Sequence, residues 1–291
     1  MTAVASSEVL PRAEARPPAD AAGIVETAHV FGDGLVGVLS RPEGPVEGRA
    51  ALILLNAGMV HRAGPFRMYV QMARALAKAG FAVFRFDQSG LGDSPVSTQA
   101  SADRKRGEVA AAMDLVARLT GLRKFVLGGL CSGADDAFNI APHEARVVGL
   151  LMLDGVGYPT FGHRLRYYVP RLLNPAKVLR GILRLARRRE EGGASDIDPN
   201  NFRDFPTREE AIQRFEQLDA RGVNALLIHT GGIDRYFNHR RQTVECFGSV
   251  MRSPRMTTEY WRDCDHTFYV REHRERLLRT AVEWMRSRFG G

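Results

Sequence analysis

Apolar residues along this chain follow two rhythms. Two early runs, Ile24 to Phe31 and Leu35 to Ser40, have strand character and are joined by Gly32-Asp33-Gly34, turn chemistry that predicts an antiparallel hairpin. From Ala50 onward, short continuous apolar runs alternate with amphipathic stretches, the pattern of a parallel sheet covered by helices on both faces. Strands are predicted at Ala51–Leu55, Ala82–Phe86, Lys124–Gly128, Val147–Leu153, Ala225–His229 and Met256–Trp261. Helices are predicted at Phe66–Ala79, Ala102–Thr120, Ala134–Ala141, Asn238–Val250 and Val270–Arg288. Phe66, Met68, Met72 and Leu76 fall at helical spacing and read as core, not as a cofactor box.

One interval breaks the alternation. Roughly seventy residues separate the strand ending near Asp154 from the one starting at Ala225, far more than a loop needs. A helical cap inserted after the sixth strand, residues 157–221, accounts for them, with helices expected at Arg164–Leu173, Lys177–Arg188 and Arg208–Ala220. The α/β core is then residues 23–156 and 222–291. Residues 1–22, rich in Ala, Pro, Ser and Glu without apolar periodicity, read as a flexible leader.

Composition narrows the classes. With 44% hydrophobic and 25% charged residues in 291, the chain has material for a sizeable core. No run reaches the roughly eighteen apolar residues of a spanning helix, and no secretory signal pattern is visible. Cys131, Cys246 and Cys264 are sparse, odd in number and without metal-ligand spacing, so a cytoplasmic protein with no metal and no cofactor is expected. The net charge of +8 is spread over many helices, which argues against a nucleic-acid partner. Neither a Gly-x-x-x-x-Gly-Lys loop nor a Gly-x-Gly-x-x-Gly turn follows the first strand, which disfavours nucleotide binding.

Chemistry concentrates at Gly129-Leu130-Cys131-Ser132-Gly133, between a predicted strand and a predicted helix. A strand-turn-helix this sharp demands very small residues two positions before and after the outermost side chain, and Gly129 and Gly133 meet that demand around Cys131. Centring the turn on Ser132 would put Leu130 in a place too tight for it. The simpler alternative is a buried, inert cysteine beside a capping serine. A thiol at the helix N-terminus is activated by the helix dipole and by a histidine that takes its proton.

Of eight histidines, His266 lies just past the last strand in a loop before the final helix. Asp234, reached through Thr230-Gly231-Gly232-Ile233 after the preceding strand, is expected to orient it, with Asp263 and Asp265 as rivals. An oxyanion hole would combine the Ser132 N–H with one from Gly58 or Met59, in the loop leaving the Ala51–Leu55 strand. His61, Arg62, Tyr167 and Tyr168 are possible substrate contacts. Asp87 and Ser94 are expected to tie down a turn.

In these segments the chain resembles the α/β-hydrolase superfamily: the strand exit Asn56–Met59, the Asp87-x-x-Gly90-x-Gly92-x-Ser94 turn, the elbow around Cys131, and Asp234 and His266 follow that order. The likeness runs from about Ala22 to the C-terminus and implies an α/β-hydrolase fold of eight mostly parallel strands, with the lobe as its cap. More narrowly, His61-Arg62-x-Gly64-Pro65, Arg85-Phe86-Asp87 and Gly129-Leu130-Cys131 are similar to bacterial hydrolases associated with exosortase and exopolysaccharide gene clusters. Most of the superfamily carries serine at the elbow and His-Gly at the strand exit, where this chain has Cys131 and Asn56-Ala57. Dienelactone hydrolases also place cysteine there.

A thiolate expelled from a tetrahedral intermediate leaves more easily than an alkoxide, so a cysteine elbow suits thioesters, activated esters or lactones better than alkyl esters. The expected function is acyl transfer by a Cys-His-Asp triad, as thioesterase or acyltransferase, with an acyl-bearing small molecule or an acyl carrier protein as partner. A small-molecule ester or lactone hydrolase and a non-catalytic binding protein on the same scaffold are the alternatives. Arg164, Arg166, Arg171, Lys177, Arg180, Arg184, Arg187, Arg188 and Arg189 fall in the cap without an intervening acid. They form either a solvated face or a surface that attracts phosphate-bearing carriers or acidic polymers.

Overall fold

The hairpin expected at the start is present in the computed structural model, which describes residues 22–99, 101–172, 203 and 205–291. β1 (Ile24–Phe31) pairs antiparallel with β2 (Leu35–Pro42), and Gly34 N–H closes the turn on Phe31 O at 3.1 Å. β2 then lies antiparallel to β4 (Val83–Phe86). β3 (Ala51–Leu55), β5 (Phe125–Leu130), β6 (Val147–Leu153), β7 (Asn224–Thr230) and β8 (Met256–Trp261) complete an eight-stranded sheet in the order β1-β2-β4-β3-β5-β6-β7-β8. From β4 to β8 all pairings are parallel.

The continuous apolar strands are buried on both faces because each alternate residue meets a different layer of helices. Ile53 and Leu55 face one layer with α2 (Ser101–Thr120) and α3 (Ser132–Ile140), where Met113, Val116 and Phe138 pack. Leu52 and Leu54 face the other, with Met72 and Leu76 of α1 (Met68–Lys78) and Trp284 and Phe289 from the final helix. This topology sets the position of the functional site. β4 lies on one side of β3 and β5 on the other, so the loops leaving β3 and β5 diverge around a crevice at the C-terminal edge of the sheet.

Between β6 and β7 the chain forms α4 (Phe161–Leu172), close to its expected span, and α5 (Arg208–Ala220). The helix expected at Lys177–Arg188 and the leader expected at residues 1–22, save Ala22, lie outside the described residues. α5 opens with a capping box between Thr207 and Glu210 and buries Ala211, Phe215 and Leu218 in the main core. Phe215 meets Phe138 at 4.5 Å and Phe247 at 4.8 Å between ring centroids, so this helix, expected as part of the cap, packs with the sheet layer.

The helix expected at Asn238–Val250 is shorter. α6 covers Gln242–Phe247 and a 3₁₀ turn follows over Gly248–Arg252, because Gly248, with φ of 76°, ends the α-helical run. The last helix, α7, spans Arg271–Phe289. Among the described residues no helix is long and apolar enough to cross a membrane.

Candidate active site

Cys131 stands between β5 and α3 with φ of 58° and ψ of −122°, a conformation most side chains avoid. Four hydrogen bonds hold it there. Its N–H donates to Leu153 O at 2.8 Å, its carbonyl accepts from Ala134 N–H at 3.0 Å and Asp135 N–H at 3.1 Å, and the Leu130 N–H just before it donates to the buried Tyr69 hydroxyl at 2.7 Å.

The flanking glycines explain why the bend closes. A Cβ on Gly129 would sit 2.6 Å from the Gly133 carbonyl carbon, and one on Gly133 would sit 2.6 Å from Asn56 O and 2.7 Å from Leu55 O. These are backbone neighbours that no rotamer change removes.

His266 follows β8. Its Nδ1 lies 2.7 Å from Asp154 Oδ2, at the end of β6. Asp154 is fully buried; Thr230 N–H reaches Oδ1 at 2.6 Å and the Thr230 hydroxyl reaches Oδ2 at 2.7 Å, so the carboxylate is held by β7 while it holds the ring. Burial by itself lowers the pKa of the His266 ring. The hydrogen bond to Asp154, and the nearby Asp154 and Cys131 groups as negative charges, outweigh it and lift the ring to about 10. A protonated imidazole between a carboxylate and a sulfur is the state these surroundings favour.

The carboxylate beside His266 is therefore that of Asp154 and not that of the expected Asp234. Asp234 points to Arg171 at 3.1 Å, while its carbonyl meets His163 Nε2 at 2.9 Å. Neither rival replaces it: Asp263 pairs with His273 Nε2 at 3.3 Å, and the Asp265 carboxylate accepts the N–H groups of Thr267 and Tyr269 within its own loop. The signal for Asp154 was present in the sequence as an acid at the end of a buried parallel strand. Chain order alone admits both aspartates, since both lie between Cys131 and His266.

The expected oxyanion donors meet at the crevice in an altered form. Gly58, with φ of 57°, directs its N–H to the Ser132 hydroxyl at 2.7 Å, joining the β3 loop to the first residue of α3. The Met59 side chain is 88% exposed. Beneath this loop, Asn56 donates to Asp87 Oδ1 at 3.1 Å and to Val60 O at 2.9 Å, while the Ser94 hydroxyl donates to Asp87 O at 2.6 Å. Arg62 is committed to the same support, bonded to buried Asp87 and to Asp93. Exposed His61 accepts the Ala63 N–H, Tyr167 lies under Arg171, and Tyr168 faces solvent.

Arg203, which sequence patterning did not single out, enters this region from the insertion. It forms a two-pronged pair with Asp135 at 2.7 and 3.0 Å, reaches Asp154 O at 2.9 Å and donates to the Tyr236 hydroxyl at 2.8 Å. Both charged side chains are almost wholly buried, at 3% and 2% exposure. Burial pushes Asp135 up to about 6 against the pull of Arg203.

Among the described residues, two groups approach metal-ligand spacing. In His61, Asp87 and Asp93 the Arg62 guanidinium already takes both carboxylates; in Cys264, Asp265 and His273 the carboxylate is occupied by backbone N–H groups. Neither is a ready cation site.

With this geometry the chain has the α/β-hydrolase fold, and known structures agree. A dienelactone hydrolase from Anabaena variabilis superposes with a TM-score of 0.54 at 13% identity, covering 92% of this chain and 99% of its own. A proline iminopeptidase from Mycobacterium smegmatis gives 0.56 at 17% identity, covering 90% and 98%. A cold-adapted esterase from an Arctic intertidal metagenomic library gives 0.55 at 15% identity, covering 92% and 95%. No protein-family model matches the chain, and no curated protein sequence does.

Proposed function

We propose that the protein is an acyl-transfer enzyme in which Cys131 is the nucleophile, His266 the proton carrier and Asp154 its orienting acid, acting on thioesters or activated esters. The observation that carries this reading is the positive φ of Cys131 at a glycine-flanked strand-to-helix bend, together with the buried Asp154 carboxylate 2.7 Å from Nδ1 of His266.

In this mechanism the Cys131 sulfur forms a bond to the acyl carbon, and the carbonyl electrons move to its oxygen. Ser132 N–H, at the start of α3 where no preceding helical carbonyl is in reach, receives that oxyanion. Gly58 N–H joins it once the Ser132 hydroxyl rotates away. Collapse breaks the bond to the leaving sulfur or oxygen, which takes the proton from His266. Water or another acceptor then attacks the acyl-cysteine carbonyl as His266 removes its proton, and collapse breaks the bond between the acyl carbon and sulfur, releasing the acyl product and the Cys131 thiolate beside the imidazolium.

The acyl-enzyme is itself a thioester, which is why both thioesterase and acyltransferase outcomes follow from one site. Intact-mass spectrometry after mixing with an acyl thioester should show one acyl adduct, absent in Cys131→Ala. Continued labelling of that variant would remove Cys131 as the nucleophile. A large preference for the oxygen ester over the matched thioester would favour the small-molecule ester or lactone hydrolase reading, in keeping with the dienelactone hydrolase and esterase among the structural neighbours.

A further inference from the structure

A cavity of about 470 Å³ lies between α4 and the loops that follow β7 and β8. Arg166, Arg171 and Arg262 line it against a single carboxylate, Asp234, with Asn238 and Tyr260 among the remaining walls. The three guanidiniums differ in their commitments. Arg166 is held rigidly, bonded to both oxygens of Glu245 at 3.1 and 3.0 Å and to Asn238 Oδ1 at 3.1 Å. Arg171 stacks 3.5 Å over the Tyr167 ring and shares Asp234. Arg262 makes no hydrogen bond or ion pair among the described residues, and neither does the Tyr260 hydroxyl.

The local field is positive. Burial, and then the charges of Arg166, Arg241 and Arg240 against the opposing charge of Glu245, lower the pKa of His239 on the same wall. The cavity also adjoins the reacting groups through its backbone. Gly231 on its wall directly follows Thr230, which holds Asp154, and a Cβ on the neighbouring Gly232 would meet His266 N at 2.2 Å.

We infer that this cavity binds the phosphate of a phosphorylated acyl donor, with Arg262 as the free anchor and Arg166 and Arg171 as its pre-set partners. Guanidinium forks match phosphate oxygens, and three forks around one space exceed what the two oxygens of a carboxylate engage. The inference rests on the acyl-transfer reading and names its donor: a thioester whose carrier arm bears phosphate, as coenzyme A and carrier-bound phosphopantetheine both do.

The test reads binding without turnover. Isothermal titration of the full chain with desulfo-coenzyme A, which has the phosphates but no thiol, should show binding that Arg262→Ala weakens roughly tenfold and Arg262→Lys weakens less. Equal affinity for phosphate-free pantetheine, or an Arg262→Ala variant that binds desulfo-coenzyme A as well as the parent, overturns the inference. Phosphopantetheine binding nearly as tightly as desulfo-coenzyme A places the recognised phosphate on the arm shared with carrier proteins; much weaker binding places it on the nucleotide half. If desulfo-coenzyme A binds through Arg262 but no thioester acylates Cys131, the phosphate site stands and the acyl-transfer reading falls.

Discussion

His266 Nδ1 and Asp154 Oδ2 lie 2.7 Å apart although 112 positions separate them in the chain. The contact closes because β6, β7 and β8 are parallel neighbours, so the residues leaving their C-terminal ends emerge side by side. Thr230, at the end of the middle strand, donates to the same carboxylate and fixes its direction.

Asp154→Asn should therefore lower kcat by roughly 10²–10⁴-fold by releasing the ring from its oriented tautomer. Asp234→Asn breaks a half-exposed pair and should cost less than about fivefold with a phosphate-free donor. Steady-state kinetics of the two variants side by side decide the assignment; an inverted order would return the role to Asp234.

Alkylation tests whether His266 activates Cys131. Cys246 and Cys264 are buried, and burial pushes their thiols up to about 11 and about 12, so iodoacetamide at pH 7 should mark Cys131 first. His266→Gln should slow that labelling about tenfold or more, measured by peptide mass spectrometry. Unchanged labelling would show that the ring does not activate the sulfur.

Gly133→Ala should destabilise by about 2–4 kcal/mol, since its Cβ would press on two backbone oxygens. Gly107 in α2 has open space around the same position, and Gly107→Ala should gain about 0.5–1 kcal/mol. Urea unfolding of both variants separates close packing from ordinary helix propensity.

Removing Arg203 leaves the Asp135 carboxylate buried without its partner, so Arg203→Leu should cost about 3–5 kcal/mol. The double variant Arg203→Leu with Asp135→Asn should regain part of that loss. Activity should fall as well, because Arg203 also supports the carbonyl of Asp154. Equal instability in the single and double variants would show that the buried charge is not the cause.

His229 supplies a pH-dependent stability. It is buried, stacked 3.9 Å from Phe237, and burial lowers its pKa from 6.5 to about 4. The unfolded chain thus binds a proton that the folded one refuses between these values. Its contribution is complete above about 6.5 and is lost as pH falls toward 4, by about 3 kcal/mol. His229→Phe, which keeps the stack without the titration, should lose less of its urea midpoint over that range than the parent.

The strands, the elbow and the place of His266 were legible in the sequence because each rests on local rules. Buried parallel strands are short apolar runs, and a sharp bend writes its need for Gly129 and Gly133 within five residues. The choice between Asp154 and Asp234 was not local. Both follow parallel strands and both satisfy chain order; which one meets the imidazole depends on how β6, β7 and β8 lie side by side and on Thr230 and Arg171, each of which claims one of them. Arg203 was invisible for the same reason, since its partners lie 68 and 49 positions away and no periodicity marks a single arginine that becomes buried. Local patterning marked Cys131 and His266 as candidates, and only the packing of distant loops along one sheet edge decided which acid lies against His266 and which cation lies behind that acid, because charged side chains find their partners through space.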